Sequence, residues 1–208
     1  MAYNNLTNRI IFSTILLFLY LFSLLNFYFL VIIGSIIYAI IFLEILKFFK
    51  VNTLFIYSYL LISFSLFIFY LYNSFNLKYF NLLVFVIIFF DSYSYIFGVT
   101  FGKNKVYKYI SPNKTYEGYL GGFIFTNLTI SLYYYLFLNL YNFFNLLILL
   151  NFFIIFSLLG DILQSYFKRL NNIKDSSNFL PGHGGFFDRF DSFISSIIFL
   201  SLYSYIFL

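Results

Sequence analysis

The sequence contains no cysteine, which excludes a disulfide framework, a thiolate metal site and a cysteine nucleophile. Charged residues are also scarce, at 9% of the 208 residues, whereas hydrophobic residues make up 62%. A mean hydropathy of +0.92 leaves too little polar surface to cover a soluble globule. The composition is therefore typical of an integral membrane protein.

The charge balance by itself names no soluble partner. The formal net charge is +5, and in a membrane protein such an excess commonly reflects Lys and Arg residues that hold cytoplasmic loops against anionic lipids. Membrane lipids are the expected surroundings, and no nucleic-acid partner is predicted. The first apolar stretch begins at Ile10, after Arg9, and has no small-residue cleavage site, so it is predicted to be a retained helix.

Hydrophobic segments predict about seven membrane-spanning helices, since roughly 20 apolar residues cross a bilayer. Residues 10–46 are interrupted only by Asn26 and Gly34, so they form either two short helices or a re-entrant hairpin. No linker between soluble domains stands out. The sequence thus predicts an all-α, polytopic integral membrane protein with a single domain over residues 1–208. The predicted spans are residues 10–25, 27–46, 53–72, 79–99, 118–140, 143–160 and 191–208.

The positive charges are distributed unequally between the two sides of this arrangement. If the amino terminus is cytoplasmic, every Lys and Arg except Lys78 falls on the cytoplasmic side. This asymmetry is what the positive-inside rule predicts, and it supports both the number of spans and their orientation. Two long polar loops, around residues 100–117 and 161–190, are therefore predicted to face the cytoplasm together.

The first polar region, residues 89–122, places Asp91 inside an apolar helix. A carboxylate at membrane depth costs a few kcal/mol, so Asp91 either lines a functional cavity or bonds to a neighbouring helix. Further along, Ser111, Lys114 and Thr115 offer hydroxyls, an ammonium group and backbone N–H groups that suit a phosphate chain. The alternative for this stretch is an ordinary positively charged loop that ends in a helix cap.

The second polar region begins with a helical pattern of polar residues. In "GDILQSYFKR", Asp161, Gln164, Ser165 and Lys168 recur at positions i, i+3, i+4 and i+7. These positions share one face of a helix, so the side chains are predicted to point into one cavity.

A glycine-rich turn follows this helix. Leu180-Pro181 should end any helix, and the flexible backbone of residues 182–185 can direct successive N–H groups at an anion. Asp188 and Asp191 then stand at the mouth of the last span and share a face if a helix begins there.

These residues favour one kind of chemistry. Carboxylates without cysteine, and with a single histidine, suit a hard cation such as Mg²⁺ and not zinc. The neighbouring Lys and Arg side chains suit phosphates, which together indicates phosphoryl or nucleotidyl transfer. A lone histidine such as His183 is more often structural, bonding a loop carbonyl, than catalytic.

The second region resembles the signature of the phosphatidate cytidylyltransferases, the CDP-diacylglycerol synthases. The matching elements are Ser165, Phe167-Lys168-Arg169, Lys174-Asp175, Ser177, Leu180-Pro181, His183-Gly184-Gly185-Phe186 and Asp188-Arg189-Phe190-Asp191. The signature spans residues 165–191, and a nucleotide-side loop over 91–122 is also similar to the family. One departure is Gln164, which stands where the family usually has Glu.

The resemblance implies a Mg²⁺-dependent reaction of CTP with phosphatidate that gives CDP-diacylglycerol and pyrophosphate, for phospholipid biosynthesis. It implies Asp161 and Asp188 as metal ligands, with Asp91, Asp175 and Asp191 as further or neighbouring carboxylates. It further implies a bacterial inner membrane protein that forms a homodimer. The residues implied at the phosphates are Lys168, Arg169, Lys174 and Arg189. Those implied on the nucleotide side are Ser111, Lys114 and Thr115. The remaining predicted site residues are His183, Glu117, Ser165, Gly184 and Gly185.

Two other function classes remain possible from sequence. The first is a related CTP-dependent enzyme, such as a polyprenol or phytol kinase or an archaeal CDP-lipid synthase. The second is a cation transporter in which Asp91 and Asp161 line the path. Against a transporter, the charged residues cluster on one predicted side of the membrane, whereas a path needs two mouths.

Overall fold

The computed structural model describes residues 14–24, 26–107, 109–137, 143–177, 179 and 184–207. Within these ranges the chain forms helices joined by short connections and one small sheet. The helices are α1 (Thr14–Leu24), α2 (Phe27–Phe48), α3 (Thr53–Asn73), α4 (Leu77–Phe101), α5 (Tyr116–Phe137), α6 (Phe143–Leu170) and α7 (Phe187–Phe207). The strands are β1 (Lys105–Tyr107) and β2 (Ser111–Thr115).

Each predicted span coincides with a helix over the residues that are described, which confirms the all-α membrane class. Five of the helices, α2, α3, α4, α6 and α7, are long and apolar enough to cross a membrane. Helix α5 has 22 residues but is not among these five. The predicted first span, residues 10–25, lies partly outside the described residues.

The amino-terminal apolar region contains two helices in its described part. Asn26 separates α1 from α2, and its side-chain oxygen accepts the Tyr28 N–H at 3.0 Å. This bond satisfies one of the free N–H groups at the start of α2. Asn26, a single polar residue in a long apolar run, therefore marks the boundary between the helices.

A short antiparallel hairpin of β1 and β2 follows α4. Lys105 pairs with Thr115 and Tyr107 pairs with Ser111. The sequence analysis predicted only a loop here, because the strands are very short and lack the apolar alternation that signals a strand. The hairpin carries Lys114 and Thr115 on β2, so it fixes the position of two predicted site residues.

Three connections meet at one end of the bundle. The Asn171 side-chain oxygen accepts the N–H of Lys50 at 2.6 Å and of Val51 at 2.7 Å. Arg169 Nε donates to the Ile110 carbonyl at 3.0 Å. The connection after α2, the hairpin and the end of α6 thus lie together, while Lys78 starts α4 at the opposite end.

Helices α6 and α7 cross closely at Gly160. A Cβ atom built at Gly160 would overlap the Asp191 carbonyl and the Ser195 hydroxyl. Ser195 donates from α7 to the Phe156 carbonyl of α6 at 2.6 Å, as small and hydroxyl residues do where membrane helices approach closely. The close crossing brings Asp161 next to Asp191.

We expect Gly160→Val to destabilise the protein, because the new side chain has no space between α6 and α7. Overpacking of this kind costs about 1–3 kcal/mol. Thermal unfolding of purified protein in detergent measures it as a lower midpoint temperature. The matched control is Leu159→Val, whose side chain is 45% exposed and should tolerate the change. Equal midpoints for the two variants would contradict the close crossing.

Candidate functional site

A cavity of about 530 Å³ lies between α4, the hairpin, α5, α6 and α7. Four aspartates from three helices line it: Asp91 from α4, Asp161 from α6, and Asp188 and Asp191 from α7. Lys114 on β2 also lines it. The structure thus gathers carboxylates that are far apart in the sequence around one space, together with an ammonium group.

Lys114 forms an ion pair with Asp161 across the cavity. Its Nζ donates to the Asp161 carboxylate and lies 5.8 Å from the centre of the Tyr119 ring. Burial alone would lower the pKa of the Lys114 ammonium, but the adjacent Asp161 and Tyr119 raise it above its ordinary value. Lys114 therefore stays positively charged beside Asp161.

Asp188 has a full set of hydrogen-bond donors. Its Oδ1 atom accepts from Gln164 and from Lys168 Nζ, the latter at 2.7 Å. Its Oδ2 atom accepts the backbone N–H groups of Ser176 at 2.7 Å and Gly185 at 3.1 Å. Because a carboxylate offers about four acceptor positions, Asp188 both lines the cavity and fastens the segment that precedes α7 to α6.

Asp91 and Asp191 are the less engaged carboxylates. Neither forms an ion pair within the part of the chain that is described. Asp91 is exposed at the cavity wall, and Asp191 accepts the neighbouring Ser192 N–H at 2.7 Å. Their oxygen atoms are therefore available to a ligand of the cavity.

The donor set fits a hard divalent cation. All four acidic groups carry oxygen atoms, which Mg²⁺ prefers, and of the four only Asp188 already accepts from four protein donors. No three His, Cys, Asp or Glu side chains among the described residues form a preformed metal cluster. Mg²⁺ usually takes only one or two carboxylates and completes its coordination with water and substrate phosphates, so this arrangement is compatible with a site that the substrate completes.

Other residues predicted on the nucleotide side divide into two groups. Thr115 lines the cavity, and its Oγ1 accepts the Gly118 N–H at 3.2 Å. Glu117 instead accepts the N–H of Lys103 at 3.1 Å and the Asn104 side-chain amide at 2.9 Å, which closes the base of the hairpin. Glu117 and Ser111 do not line the cavity.

The four predicted phosphate-binding residues do not line the cavity. Lys168 binds the cavity residue Asp188, whereas Arg169 donates to the Ile110 carbonyl of the hairpin. Arg169, Lys174 and Arg189 are exposed, as is the predicted neighbouring carboxylate Asp175. Ser165 and Gly185 are buried, Gly184 is partly buried, and His183 lies outside the described residues.

The local structure requires glycine at positions 184 and 185. Gly184 has a φ of +78°, a left-handed conformation that L side chains rarely adopt. A Cβ atom at Gly185 would lie 2.7 Å and 2.8 Å from the two carboxylate oxygens of Glu44. The predicted role of these glycines in binding an anion stays a prediction, and the Gly185 N–H is bonded to Asp188 in this structure.

Sequence analysis missed Glu44, which lies in α2 with no exposed surface. It bonds to the segment that precedes α7 and to the start of α7. A signal was present, because Glu44 is the only acidic residue before Asp91 and interrupts an apolar span.

The helices define a membrane protein, and its cavity gathers four carboxylates and a lysine. A model of the cytidylyltransferase family matches residues 2–207. This chain belongs to the cytidylyltransferase family, which confirms the family predicted from the signature.

Curated relatives agree with this family. The protein named phosphatidate cytidylyltransferase of Staphylococcus haemolyticus is 47% identical over 105 residues. Proteins of the same name from Staphylococcus epidermidis and Staphylococcus aureus are 46% identical over 105 residues and 47% identical over 109 residues. Each match covers 50% of this chain and 40% of the relative, so the similarity spans less than half of each relative's length.

Proposed function

We propose that this protein transfers the cytidylyl group of CTP to phosphatidate and so forms CDP-diacylglycerol and pyrophosphate. The observation that carries the proposal is the cavity in which Asp91, Asp161, Asp188 and Asp191 meet Lys114, within a chain of the cytidylyltransferase family. The names of the staphylococcal relatives support phosphatidate as the acceptor.

The proposed reaction needs little covalent chemistry from the protein. A phosphate oxygen of phosphatidate attacks the α-phosphorus of CTP and forms a new P–O bond. The bond from that phosphorus to the oxygen bridging the α- and β-phosphates breaks, and pyrophosphate leaves with the electron pair. A phosphomonoester has its second pKa at about 6, so the nucleophile is already ionised near pH 7 and needs no strong base.

The main task of the side chains is to neutralise phosphate charge and hold the reactants in line. Lys114 in the cavity and Lys168 beside Asp188 supply two ammonium groups for this purpose. Asp161 and Asp188 would hold Mg²⁺, with Asp91 and Asp191 beside them. When bound, the cation would neutralise charge on the triphosphate and the leaving pyrophosphate.

The proposed location is the bacterial inner membrane, with the hairpin and the segment before α7 facing the cytoplasm. The five apolar helices make this a membrane protein, so the acyl chains of phosphatidate can remain in the bilayer. CTP would then arrive from the cytoplasm. The bonds from Asn171 to Lys50 and from Arg169 to Ile110 support this proposal, because they keep the positively charged connections together at one end.

The orientation predicts which positions an impermeant thiol reagent can reach. Single cysteines at Lys47, Lys108 and Arg169 should react only in inverted vesicles, whereas a cysteine at Lys78 should react on sealed cells. The chain has no native cysteine, so the parent protein is the unlabelled control. Reaction of the Lys47 and Arg169 positions from opposite sides would be incompatible with the proposal.

The activity is tested with the full chain purified in detergent and incubated with labelled CTP, phosphatidate and Mg²⁺. A labelled CDP-lipid and released pyrophosphate are expected. In a parallel incubation with polyprenol or phytol in place of phosphatidate, formation of the phosphorylated alcohol without any CDP-lipid from phosphatidate would indicate a lipid kinase. Cation flux in proteoliposomes without any lipid product would indicate a transporter, and either result would overturn the proposal.

A further inference from the structure

Glu44 is a buried carboxylate bonded to four donors from one segment. Its Oε1 atom accepts from the Ser177 hydroxyl at 2.7 Å and from the Phe186 N–H at 2.8 Å. Its Oε2 atom accepts from the Ser176 hydroxyl at 3.3 Å and from the Phe187 N–H at 2.9 Å. A helix in the first quarter of the chain therefore holds the segment that precedes α7, more than 130 residues later.

The donors around Glu44 explain how a charge is accommodated inside the bundle. Glu44 forms no ion pair within the described ranges, but Phe187 is the first residue of α7, whose N-terminus carries partial positive charge. Two of the donors are backbone N–H groups, which cannot accept in return. The two oxygens of the Glu44 side chain accept from all four donors.

The Glu44 bonds and the Asp188 bonds share the same short segment. Ser176 donates its hydroxyl to Glu44 and its N–H to Asp188, the latter at 2.7 Å. Gly185 donates its N–H to Asp188 and passes so close to Glu44 that no side chain fits between them. The segment is thus held between two carboxylates, one on α2 and one on α7.

We propose that Glu44 is a positioning residue for nucleotidyl transfer. Glu44 fixes the Phe186 and Phe187 N–H groups at the start of α7 and so sets the position at which Asp188 enters the cavity. Because Asp188 binds Lys168, Glu44 also sets the position of the Lys168 ammonium group. This role rests on the proposed cytidylyl transfer, because Asp188 and Lys168 matter to turnover only if the cavity is the active site. Glu44 itself does not line the cavity and contacts no reacting group.

The first test measures the segment and does not depend on activity. Glu44→Gln keeps the shape but places an NH₂ group against a backbone N–H of α7. Hydrogen exchange of the purified full chain should become on the order of tenfold faster in the peptide that contains Phe186 and Phe187. Ser63→Ala is the control, since it removes a buried hydroxyl that bonds Tyr38 and the Ile194 carbonyl, about two turns along α7 from Phe187.

The second test measures turnover. Per folded protein, Glu44→Gln should lower kcat for CDP-lipid formation about tenfold or more, with the KM for CTP within about twofold. Ser177→Ala, which removes one of the four donors, should show a smaller fall in kcat and faster exchange in the same segment. Ser63→Ala should leave kcat unchanged. A large fall in kcat for Glu44→Gln, a smaller one for Ser177→Ala and none for Ser63→Ala is not expected from a general loss of stability. Such a loss would lower the folded fraction in all three variants.

Hydrogen exchange and kcat together distinguish a failure of the proposed function from a failure of the positioning role. If the wild-type protein forms no CDP-lipid, the proposed function fails, while hydrogen exchange still tests whether Glu44 holds the segment. If the wild type is active, unchanged kcat in Glu44→Gln together with faster exchange would overturn the positioning role. Unchanged exchange in both Glu44→Gln and Ser177→Ala would overturn it as well. Should Glu44→Gln fail to accumulate, Ser177→Ala alone decides both measurements.

Discussion

Asp161→Asn and Asp188→Asn should each lower kcat for CDP-lipid formation by about 100-fold or more. Asparagine keeps the shape of the side chain but removes the charge that would hold Mg²⁺ against the CTP phosphates. Both carboxylates line the same cavity, and each is already paired with an ammonium group, Lys114 for Asp161 and Lys168 for Asp188. Each substitution therefore removes a proposed metal ligand and also releases a lysine from its fixed place.

The double variant distinguishes a shared ion from two independent effects. If both aspartates hold one cation, the double variant should be scarcely worse than either single variant, because the ion is already lost. The measurement is CDP-lipid formation over a Mg²⁺ titration, with the wild-type protein as the reference. Near-normal activity and an unchanged Mg²⁺ requirement in one single variant would remove that aspartate from the site.

The two single variants should also differ in a way that only the structure reveals. Asp188 accepts two backbone N–H groups of the segment before α7, whereas among the described residues the Asp161 carboxylate accepts a hydrogen bond from Lys114 only. Faster hydrogen exchange at Ser176 and Gly185 is thus expected in Asp188→Asn and not in Asp161→Asn. Sequence alone treats these aspartates as equivalent ligands.

Much of the fold was predictable because the bilayer imposes simple rules on the chain. Long apolar segments predict helices, and they do so here even where Asn26 alone separates α1 from α2. The pairing of Asp161 with Asp188 was implied by the resemblance to the family, and the structure places both carboxylates at one cavity. Charged residues are expensive in an apolar helix, so those that are present indicate a cavity.

The hydrogen-bond partners of the buried and site residues could not be predicted, because they depend on contacts between distant parts of the chain. Glu117 belongs to the predicted site, yet its carboxylate closes the hairpin, because the turn brings the Lys103 and Asn104 N–H groups to it. The partners of Glu44 follow it by more than 130 positions, and no local spacing predicts such a pairing. Local patterns therefore identified polar residues but not which of them bind each other.

Gln164, the residue that departs from the resemblance to the family signature, contacts the Asp188 carboxylate. Its side-chain amide donates to Asp188, next to the Lys168 ammonium. A Glu at this position would bring a second carboxylate to Asp188 and would need a proton or a cation between them. Gln keeps the Asp188 contact without adding charge.

Lys114→Met should lower kcat/KM for CTP by about 100-fold, since it removes the ammonium group that lies inside the cavity. It also leaves Asp161 without its partner among other carboxylates, so the midpoint of thermal unfolding should fall in the absence of divalent cations. Added Mg²⁺ should raise that midpoint more in the variant than in the wild type, because the cation relieves the repulsion that Lys114 normally offsets. The matched control is Lys78→Met, an exposed lysine at the opposite end of the bundle, which should change neither quantity. Equal kcat/KM in the two lysine variants would show that Lys114 serves the membrane surface and not the nucleotide.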